Sequence, residues 1–203
     1  MKIIFDLDGT IICSKKRVHE LFSDLIGSRQ LSFSDYWDLK FSRKSNQDIL
    51  KNKFNYSDNK IEYFLNNWMD LIEDDRYLEM DTLIDGVKEF LVGISKNNEL
   101  YICTARQSIQ QVEKQLNRLD IYHFFQDVLV TEQKYSKKDL LFNKKLMLDK
   151  QDWIVGDTGH DIITGKELGI KTCAVLSGFM SQDALVSYCP DILIQDVTSF
   201  KFS

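Results

Sequence analysis

The sequence predicts a doubly wound α/β fold whose parallel sheet is interrupted by a helical insertion. Two observations favour this fold. From about residue 83 onward, short apolar runs typical of buried strands alternate with segments of helical apolar spacing. The chain also opens on a short apolar run, Ile3 to Phe5, after which no convincing strand pattern occurs through Tyr77. The residues between these two parts are therefore expected to form a separate helical unit.

The expected helical unit begins soon after the first strand. Apolar residues recur at helical spacing from Val18 to Ile26. The strongest amphipathic pattern runs from Ile61 to Ile72, with Asp58 as a candidate N-cap. The polar segment 28–59 lies between these two patterns and shows no clear period, although it carries aromatic residues.

Strands and helices alternate in the second part of the chain. The predicted elements are helix 87–94, strand 100–103, helix 109–119, strand 128–130, helix 140–148, strand 153–155, a helix ending at Gly169, strand 172–176 and strand 192–194. This alternation indicates parallel strands joined by crossover helices. We therefore expect an α/β core formed by residues 1–14 and 81–203, and an all-helical cap domain formed by residues 15–80.

Composition argues against several classes of function. The chain has 203 residues, 43% of them hydrophobic, and a net charge of −5, which argues against nucleic acid as the main partner. No apolar run approaches the roughly 20 residues of a membrane span. The four cysteines lie far apart, without a zinc pattern or a disulfide framework. We expect a cytoplasmic protein with a small-molecule partner, acting away from membranes as a monomer or homodimer.

Polar residues follow the predicted strands at their carboxyl ends, where doubly wound sheets bind ligands. They are Asp6 and Asp8 after the first strand, Thr104 after strand 100–103, and Asp157 and Asp161 after strand 153–155. Carboxylates that meet at one crevice repel each other unless a cation compensates them. Oxygen ligands suit Mg²⁺, which neutralises charge on transferring phosphate oxygens.

Further groups around this crevice suit a phosphate. The Thr104 hydroxyl and the backbone amide that follows it, at Ala105, could bind phosphoryl oxygens, and the pair Lys137-Lys138 could supply positive charge. Thr10 adds a hydroxyl just after the turn at Gly9. Together these groups predict phosphoryl transfer with a carboxylate nucleophile.

These residues resemble the four motifs of the haloacid dehalogenase superfamily of aspartyl-phosphate phosphatases. The motifs occur in order as DLDGT (Asp6 to Thr10), YICTAR with Thr104, SKKD with Lys137, and GDTGHD with Asp157 and Asp161. The helical insertion lies where the first cap type of this family, the C1 cap, belongs. The phosphoglycolate-phosphatase-like members are the most similar in appearance. The resemblance implies a Rossmann-like core.

The resemblance also implies roles. Asp6 would attack phosphorus, and Asp8 would protonate the leaving oxygen and later deprotonate the attacking water. Mg²⁺ would contact Asp6, the Asp8 carbonyl and Asp157, while Asp161 would assist through water or by binding Lys137. Thr104 would hold phosphoryl oxygens. The acid at Asp8 favours phosphate-ester chemistry over dehalogenation or phosphonate cleavage.

Three candidate assignments leave an alternative open. The motif-three lysine is Lys137 or Lys138, and the pattern Lys-x-Asp-x-Leu favours Lys137. Arg106 could reach the substrate, or it could be a surface arginine at a helix start. The pair Arg43-Lys44 in the cap could bind an anionic substrate group, or it could form a solvated basic turn.

The sequence therefore predicts an Mg²⁺-dependent phosphatase acting on a small-molecule phosphate monoester through an aspartyl phosphate. An alternative is a phosphomutase of the β-phosphoglucomutase type, which returns the phosphoryl group to the substrate. A non-catalytic binding protein on the same fold is a further alternative, because fold alone does not establish activity.

Overall fold

A computed structural model describes residues 1–201, so that residues 202 and 203 of the predicted core lie outside the described residues. The strands are β1 (Lys2–Phe5), β2 (Ile12–Cys13), β3 (Thr82–Leu83), β4 (Glu99–Thr104), β5 (Phe125–Val130), β6 (Trp153–Gly156), β7 (Lys171–Val175) and β8 (Ile192–Ile194). Six of them form one sheet in the order β5-β4-β1-β6-β7-β8, and every neighbouring pair is parallel. The predicted α/β sheet is confirmed, with β1 near its centre.

Helices cover both faces of this sheet. They are α1 (Lys15–Ile26), α2 (Phe33–Phe41), α3 (Asn46–Phe54), α4 (Asp58–Leu71), α5 (Asp75–Leu78), α6 (Val87–Ile94), α7 (Ile109–Arg118), α8 (Lys137–Asn143), α9 (Gly159–Leu168) and α10 (Gln182–Val186). Alternate side chains of β1 enter different apolar clusters, because successive strand residues point to opposite faces. Ile3 packs with residues of α6 and α7, whereas Ile4 packs with Leu141 of α8. Among the helices of residues 1–201, none combines the length and the apolarity needed to cross a membrane.

Helices α1 to α5 lie between β2 and β3. These two short strands pair antiparallel, with Ile12 opposite Leu83 and Cys13 opposite Thr82. The chain therefore leaves the core and returns to it at the same place, and the five helices form an insertion on a two-stranded stem. The insertion has an apolar cluster of its own, which includes Phe22, Tyr36 and Leu50.

One aromatic contact joins the insertion to the core. The ring of Trp37 in α2 stacks on Phe179, which follows β7, with the ring centroids 5.4 Å apart and the planes 12° from parallel. Phe179 packs against the apolar cluster of the insertion although it belongs to the core in sequence. The helical insertion thus rests directly on a loop at the carboxyl ends of the strands.

The structure contains two helices, α2 and α3, in the segment where the sequence shows no clear period. Each has nine residues and begins at a serine followed three residues later by an aspartate. Ser45 and Asp48 form a reciprocal capping box, and the Ser32 hydroxyl accepts the Asp35 N–H at 3.1 Å. The capping pattern therefore marks these helices better than their apolar spacing does.

Several smaller boundaries also differ from the prediction. The N-cap of α4 is Ser57 rather than Asp58, which is the first helical residue. Helix α8 ends at Asn143 instead of continuing to residue 148, and Lys145 just beyond it has a positive φ of 52°, which a helix cannot accommodate. Strands β2 and β3 and helix α10 are short, and the sequence patterns predict no element at their positions.

Candidate active site

Strand order brings the sequence-predicted residues to one edge of the sheet. Strand β1 lies between β4 and β6, with Phe5 opposite both Ile102 and Val155. The Asp6 N–H donates to the Val155 carbonyl at 2.8 Å, so that Asp6 continues the sheet one residue beyond the strand. Thr104 at the end of β4 and the loop after β6 therefore lie on either side of Asp6.

A tight turn follows Asp8 because glycine stands at position 9. Gly9 has a φ of 82°, and a Cβ there would lie 2.6 Å from the Asp157 carboxylate. The Leu7 carbonyl accepts the N–H groups of Thr10, Ile11 and Ile12 at 3.0–3.3 Å. The turn brings the backbone of the first motif against Asp157. It also buries Thr10 completely, outside the crevice in which the sequence placed its hydroxyl.

Three buried carboxylates form a potential cation site. Oxygens of Asp6, Asp157 and Asp161 lie within 4.8 Å of one another. Asp157 Oδ2 accepts the Phe179 N–H at 2.7 Å, whereas its buried Oδ1 has no hydrogen-bond partner among residues 1–201. An orphaned carboxylate oxygen beside two further carboxylates suits a hard divalent cation. The residues present therefore fit a metal ion such as Mg²⁺.

Lys137 joins two of these carboxylates. Its Nζ donates to Asp6 Oδ1 at 2.5 Å and to Asp161 Oδ1 at 2.6 Å, and all three side chains are at least nine-tenths buried. Asp161 is itself fixed by the first turn of α9, because its Oδ2 accepts the N–H and the hydroxyl of Thr158. Lys138 points away, is 45% exposed and pairs with Glu167 at 3.4 Å. The geometry therefore separates the two lysines that the sequence left open.

Burial and like charge shift the ionisation of this cluster. Burial raises the pKa of Asp6 to about 7; Lys137 opposes this rise and Asp161 adds to it. Burial, with Asp6 and Asp161, also raises the pKa of Asp157 well above its usual value. Burial alone would lower the pKa of Lys137, but the charges of Asp161 and Asp6 hold it above its ordinary range. Without a cation the site therefore favours protonation of Asp6 and Asp157 over three negative charges beside the single positive charge of Lys137.

The two neighbouring lysines provide a matched test. Lys137→Ala is expected to lower kcat/KM for the predicted phosphate release by at least about a hundredfold. The substitution removes a buried positive charge that orients Asp6 and faces the negative charge that develops on the phosphoryl oxygens. Lys138→Ala should change kcat/KM by less than about twofold, because exposed ion pairs contribute little. Steady-state kinetics of both variants check this, and equal effects would contradict the placement of Lys137.

The metal-free protein should show a distinct pH dependence. Because the pKa of Asp6 is about 7 in the folded chain and its usual value is 3.8, the folded state binds this proton more tightly than the unfolded state does. The free energy of unfolding should therefore fall as the pH rises from about 4 to about 7. Urea unfolding in a chelator at pH 5 and at pH 7.5 measures the change. Asp6→Asn should reduce this dependence, and a stability that rises over this range would contradict the assignment.

A second charged cluster holds Asp8 beside the first. Arg106 donates from Nε to Asp8 Oδ2 at 2.5 Å and from Nη2 to Oδ1 at 2.8 Å, while Arg17 Nη2 also donates to Oδ1. Burial alone would raise the pKa of Asp8, but the charges of Arg106 and Arg17 lower it below its usual range. Asp81, just before β3, lies behind the two arginines and accepts the Arg17 Nε–H at 3.1 Å.

The insertion closes over these groups. Arg17 in α1 donates from Nη1 to the Ile72 carbonyl at 2.8 Å. The Glu73 carboxylate accepts the backbone N–H groups of Gln107 and Ser108, just before α7, at 2.6 and 3.1 Å. Together the core and the insertion enclose a crevice of about 670 Å³. That volume suits a small molecule.

The crevice contains most, but not all, of the sequence-predicted residues. It is lined by Asp6, Asp8, Thr104, Ala105, Arg106, Lys137 and Asp157. Asp161 lies behind Lys137. Arg43 and Lys44 do not line the crevice: the αL residue Arg43 ends the turn after α2, exposed, with Nη2 3.5 Å from the Ser187 hydroxyl of the core. The structure therefore does not support the prediction that this pair binds the substrate, and it agrees with the solvated basic turn.

Sequence reasoning missed several residues of the crevice, among them Arg17, Glu73 and Phe179. Arg17 could have been found, because it stands four residues before Leu21 on the inward side of α1, where a charged side chain needs a partner. Glu73 and Phe179 lie in short irregular segments, and no local pattern marks them.

The fold and the site together are typical of a phosphate-processing α/β hydrolase, and comparison with known proteins gives the family. The family model for haloacid dehalogenase-like hydrolases matches residues 3–175. The chain therefore belongs to this family, and the resemblance seen in its four motifs is confirmed.

The chain is also similar along its length to individual proteins. It is 24% identical over 204 residues to the pyrophosphatase PpaX of Oceanobacillus iheyensis, covering 96% of this chain and 92% of that protein. It is 28% identical over 219 residues to a Bacillus cereus PpaX, and the match covers 97% of this chain and 92% of that protein. These relatives support a phosphatase or related hydrolase.

Solved structures share the fold. A haloacid dehalogenase-like hydrolase of Streptococcus pneumoniae, SP0104, superposes with a TM-score of 0.76 at 24% identity, covering 96% of this chain and 93% of that one. A Haemophilus somnus protein described as a predicted phosphoglycolate phosphatase superposes with a TM-score of 0.74 at 20% identity. The superposition covers 96% of this chain and 93% of that one. At these identities the likeness concerns the fold alone.

Proposed function

We propose that this chain is an Mg²⁺-dependent phosphatase that hydrolyses a small phosphorylated molecule through an aspartyl phosphate on Asp6. The observation that carries the proposal is the contact of Lys137 with Asp6, 2.5 Å long, beside the unsatisfied oxygen of Asp157. This arrangement presents an oriented carboxylate next to a site that fits a divalent cation. The names of the PpaX relatives support hydrolysis of a phosphate-containing substrate.

The proposed reaction has two balanced steps. In the first, an oxygen of Asp6 attacks phosphorus, the bond from phosphorus to the leaving oxygen breaks, and Asp8 gives that oxygen a proton. In the second, a water oxygen attacks the same phosphorus and gives a proton to Asp8. The bond between phosphorus and Asp6 then breaks, which releases phosphate and restores both aspartates.

Other residues of the chain would hold the phosphoryl group during both steps. The Thr104 hydroxyl and the Ala105 N–H would bind its oxygens, while Lys137 keeps Asp6 in place for attack. Asp6, the Asp8 carbonyl and Asp157 would hold Mg²⁺, with Asp161 acting through Lys137 or water. When bound, this ion would neutralise charge on the transferring oxygens. Arg106 and Arg17 hold the pKa of Asp8 below its usual range. Asp8 must therefore leave both arginines and take up a proton from solvent before it can protonate the leaving oxygen.

A phosphate-release screen with Mg²⁺ tests the proposal. The panel includes pyrophosphate, 2-phosphoglycolate, sugar phosphates, nucleoside monophosphates and p-nitrophenyl phosphate. We expect free phosphate from at least one compound, and none from the Asp6→Asn protein. Accumulation of an isomeric sugar phosphate without free phosphate would indicate a mutase instead. Absence of any reaction across the panel would contradict the proposed activity.

A further inference from the structure

Two buried arginines of the crevice have no part in the proposed chemical steps. Arg17 belongs to the insertion and Arg106 to the loop after β4, and their side chains are only 3% and 5% exposed although both line the crevice. Two guanidinium groups from different parts of the chain therefore converge on one small volume. Burying such charges is costly unless anionic groups compensate them.

The compensation is divided between two carboxylates that differ in position. The Asp81 side chain is fully buried, does not line the crevice and is held by Gln115 at 2.8 Å as well as by Arg17. The Asp8 side chain is 16% exposed and does line the crevice. Asp81 therefore acts as the fixed partner, and Asp8 covers the side of the arginines from which a ligand arrives.

Arg106 also keeps unused donors. Its Nη1 is buried and has no hydrogen-bond partner among residues 1–201, whereas its Nε and Nη2 are both engaged. A guanidinium Nη carries two N–H groups, so this side chain can donate to a further anionic oxygen. Buried donors without a partner are few in folded proteins, and this one belongs to a side chain that lines the crevice, where an anionic group of a ligand can satisfy it.

The geometry points to Arg17 and Arg106 as a binding site for a second anionic group of the substrate, a phosphate or a carboxylate close to the leaving oxygen. The inference rests on the proposed function, in which Asp8 marks the position of that oxygen. The incoming anion takes the place of the Asp8 carboxylate on the guanidinium groups, which suit planar, two-point contacts with such anions. Asp8 is thereby released toward the leaving oxygen.

This site would select substrates by the charge of their leaving group. In pyrophosphate the second phosphorus is bonded directly to the leaving oxygen, and in 2-phosphoglycolate the carboxylate lies one carbon further away. Both compounds place an anion where Arg17 and Arg106 meet Asp8. A monoester without a second anionic group, such as p-nitrophenyl phosphate, brings no anion to the two arginines, so they do not strengthen its binding.

The test compares these three compounds in separate Arg17→Gln and Arg106→Gln variants with Mg²⁺ present. A charge-assisted contact predicts that KM for pyrophosphate or 2-phosphoglycolate rises about ten- to a hundredfold. KM for p-nitrophenyl phosphate should change by less than about threefold. Comparison of pyrophosphate with 2-phosphoglycolate separates a phosphate-selective site from a carboxylate-selective one. Arg29→Gln removes an exposed arginine of the same insertion that pairs with Glu20 and Asp24, and should change none of these constants.

Removing Arg17 also leaves Asp81 short of a partner and could unfold the chain. The double variant Arg17→Gln with Asp81→Asn removes one charge of each sign and is measured if the single variant fails to fold. Calorimetric binding of methylenediphosphonate, whose P–C–P link cannot be hydrolysed, gives a readout independent of turnover. We expect this probe to bind wild-type protein at least about tenfold more tightly than the double variant.

Two results would overturn the inference. One is an equal change in KM for substrates with and without a second anionic group, since Arg17 and Arg106 would then only position Asp8 or the insertion. The other is unchanged binding of methylenediphosphonate in the folded double variant. Inactivity of the wild-type protein on every phosphate compound would instead count against the proposed function, while the binding measurement would still decide the anion site.

Discussion

Asp6→Asn should abolish phosphate release while the protein remains folded. The amide has the size of the carboxylate but is not a nucleophile, so we expect kcat to fall by at least about a thousandfold. The fold should tolerate the change, because Asp6 lies beside Asp157 and Asp161 and its charge adds to their repulsion. The melting temperature in the absence of metal is therefore expected to stay the same or rise.

Phosphate release and thermal unfolding measured on the same preparation check both parts. Asp70→Asn, an exposed change of the same chemistry in α4, is the matched control and should leave kcat unchanged. More than a few per cent of wild-type activity in Asp6→Asn, with deamidation excluded by mass spectrometry, would rule Asp6 out as the nucleophile.

Removal of divalent metal should be equally severe. Three carboxylates lie within 4.8 Å of one another, and the phosphoryl group adds further negative charge to a crevice in which Lys137 contacts two of them. The repulsion between these carboxylates and the phosphoryl group opposes substrate binding unless a divalent cation is present. We therefore expect no measurable turnover after dialysis against a chelator, and full recovery on addition of Mg²⁺.

Thermal unfolding gives a second readout that does not depend on the substrate. A cation that binds only the folded chain raises the melting temperature with its concentration. We expect a saturable rise with Mg²⁺ in the wild-type protein and none in Asp157→Asn, which loses one of the proposed ligands. Full activity of the metal-free enzyme would contradict the cation site.

The core and most of the acidic site could be predicted because both depend on local sequence. A short apolar run predicts a buried strand, and the residue after it lies at the ligand-binding edge of a parallel sheet. Asp6, Thr104 and Asp157 follow this rule directly. Thr10 does not, because the turn at Gly9 directs the chain under the sheet edge and buries the hydroxyl.

The insertion could be predicted as helical but not in detail. The basic pair Arg43-Lys44 predicts an anion-binding turn, yet the end of α2 faces a different part of the core from the crevice. Arg17 carries no motif, but the stem formed by β2 and β3 places α1 beside Asp8. Which residue of the insertion reaches the crevice depends on how the insertion packs on the core, and no periodicity or spacing in the chain indicates that packing.

The central claim, covalent transfer of the phosphoryl group to Asp6, is tested most directly by trapping the intermediate in Asp8→Asn. p-Nitrophenolate leaves without protonation, so the first step should proceed in this variant while the water attack that needs Asp8 is slow. We predict a burst of about one p-nitrophenol per active site. After an acid quench and borohydride reduction, mass spectrometry should find homoserine at position 6. Steady p-nitrophenol release without a burst, together with unmodified Asp6 after the reduction, would contradict the account.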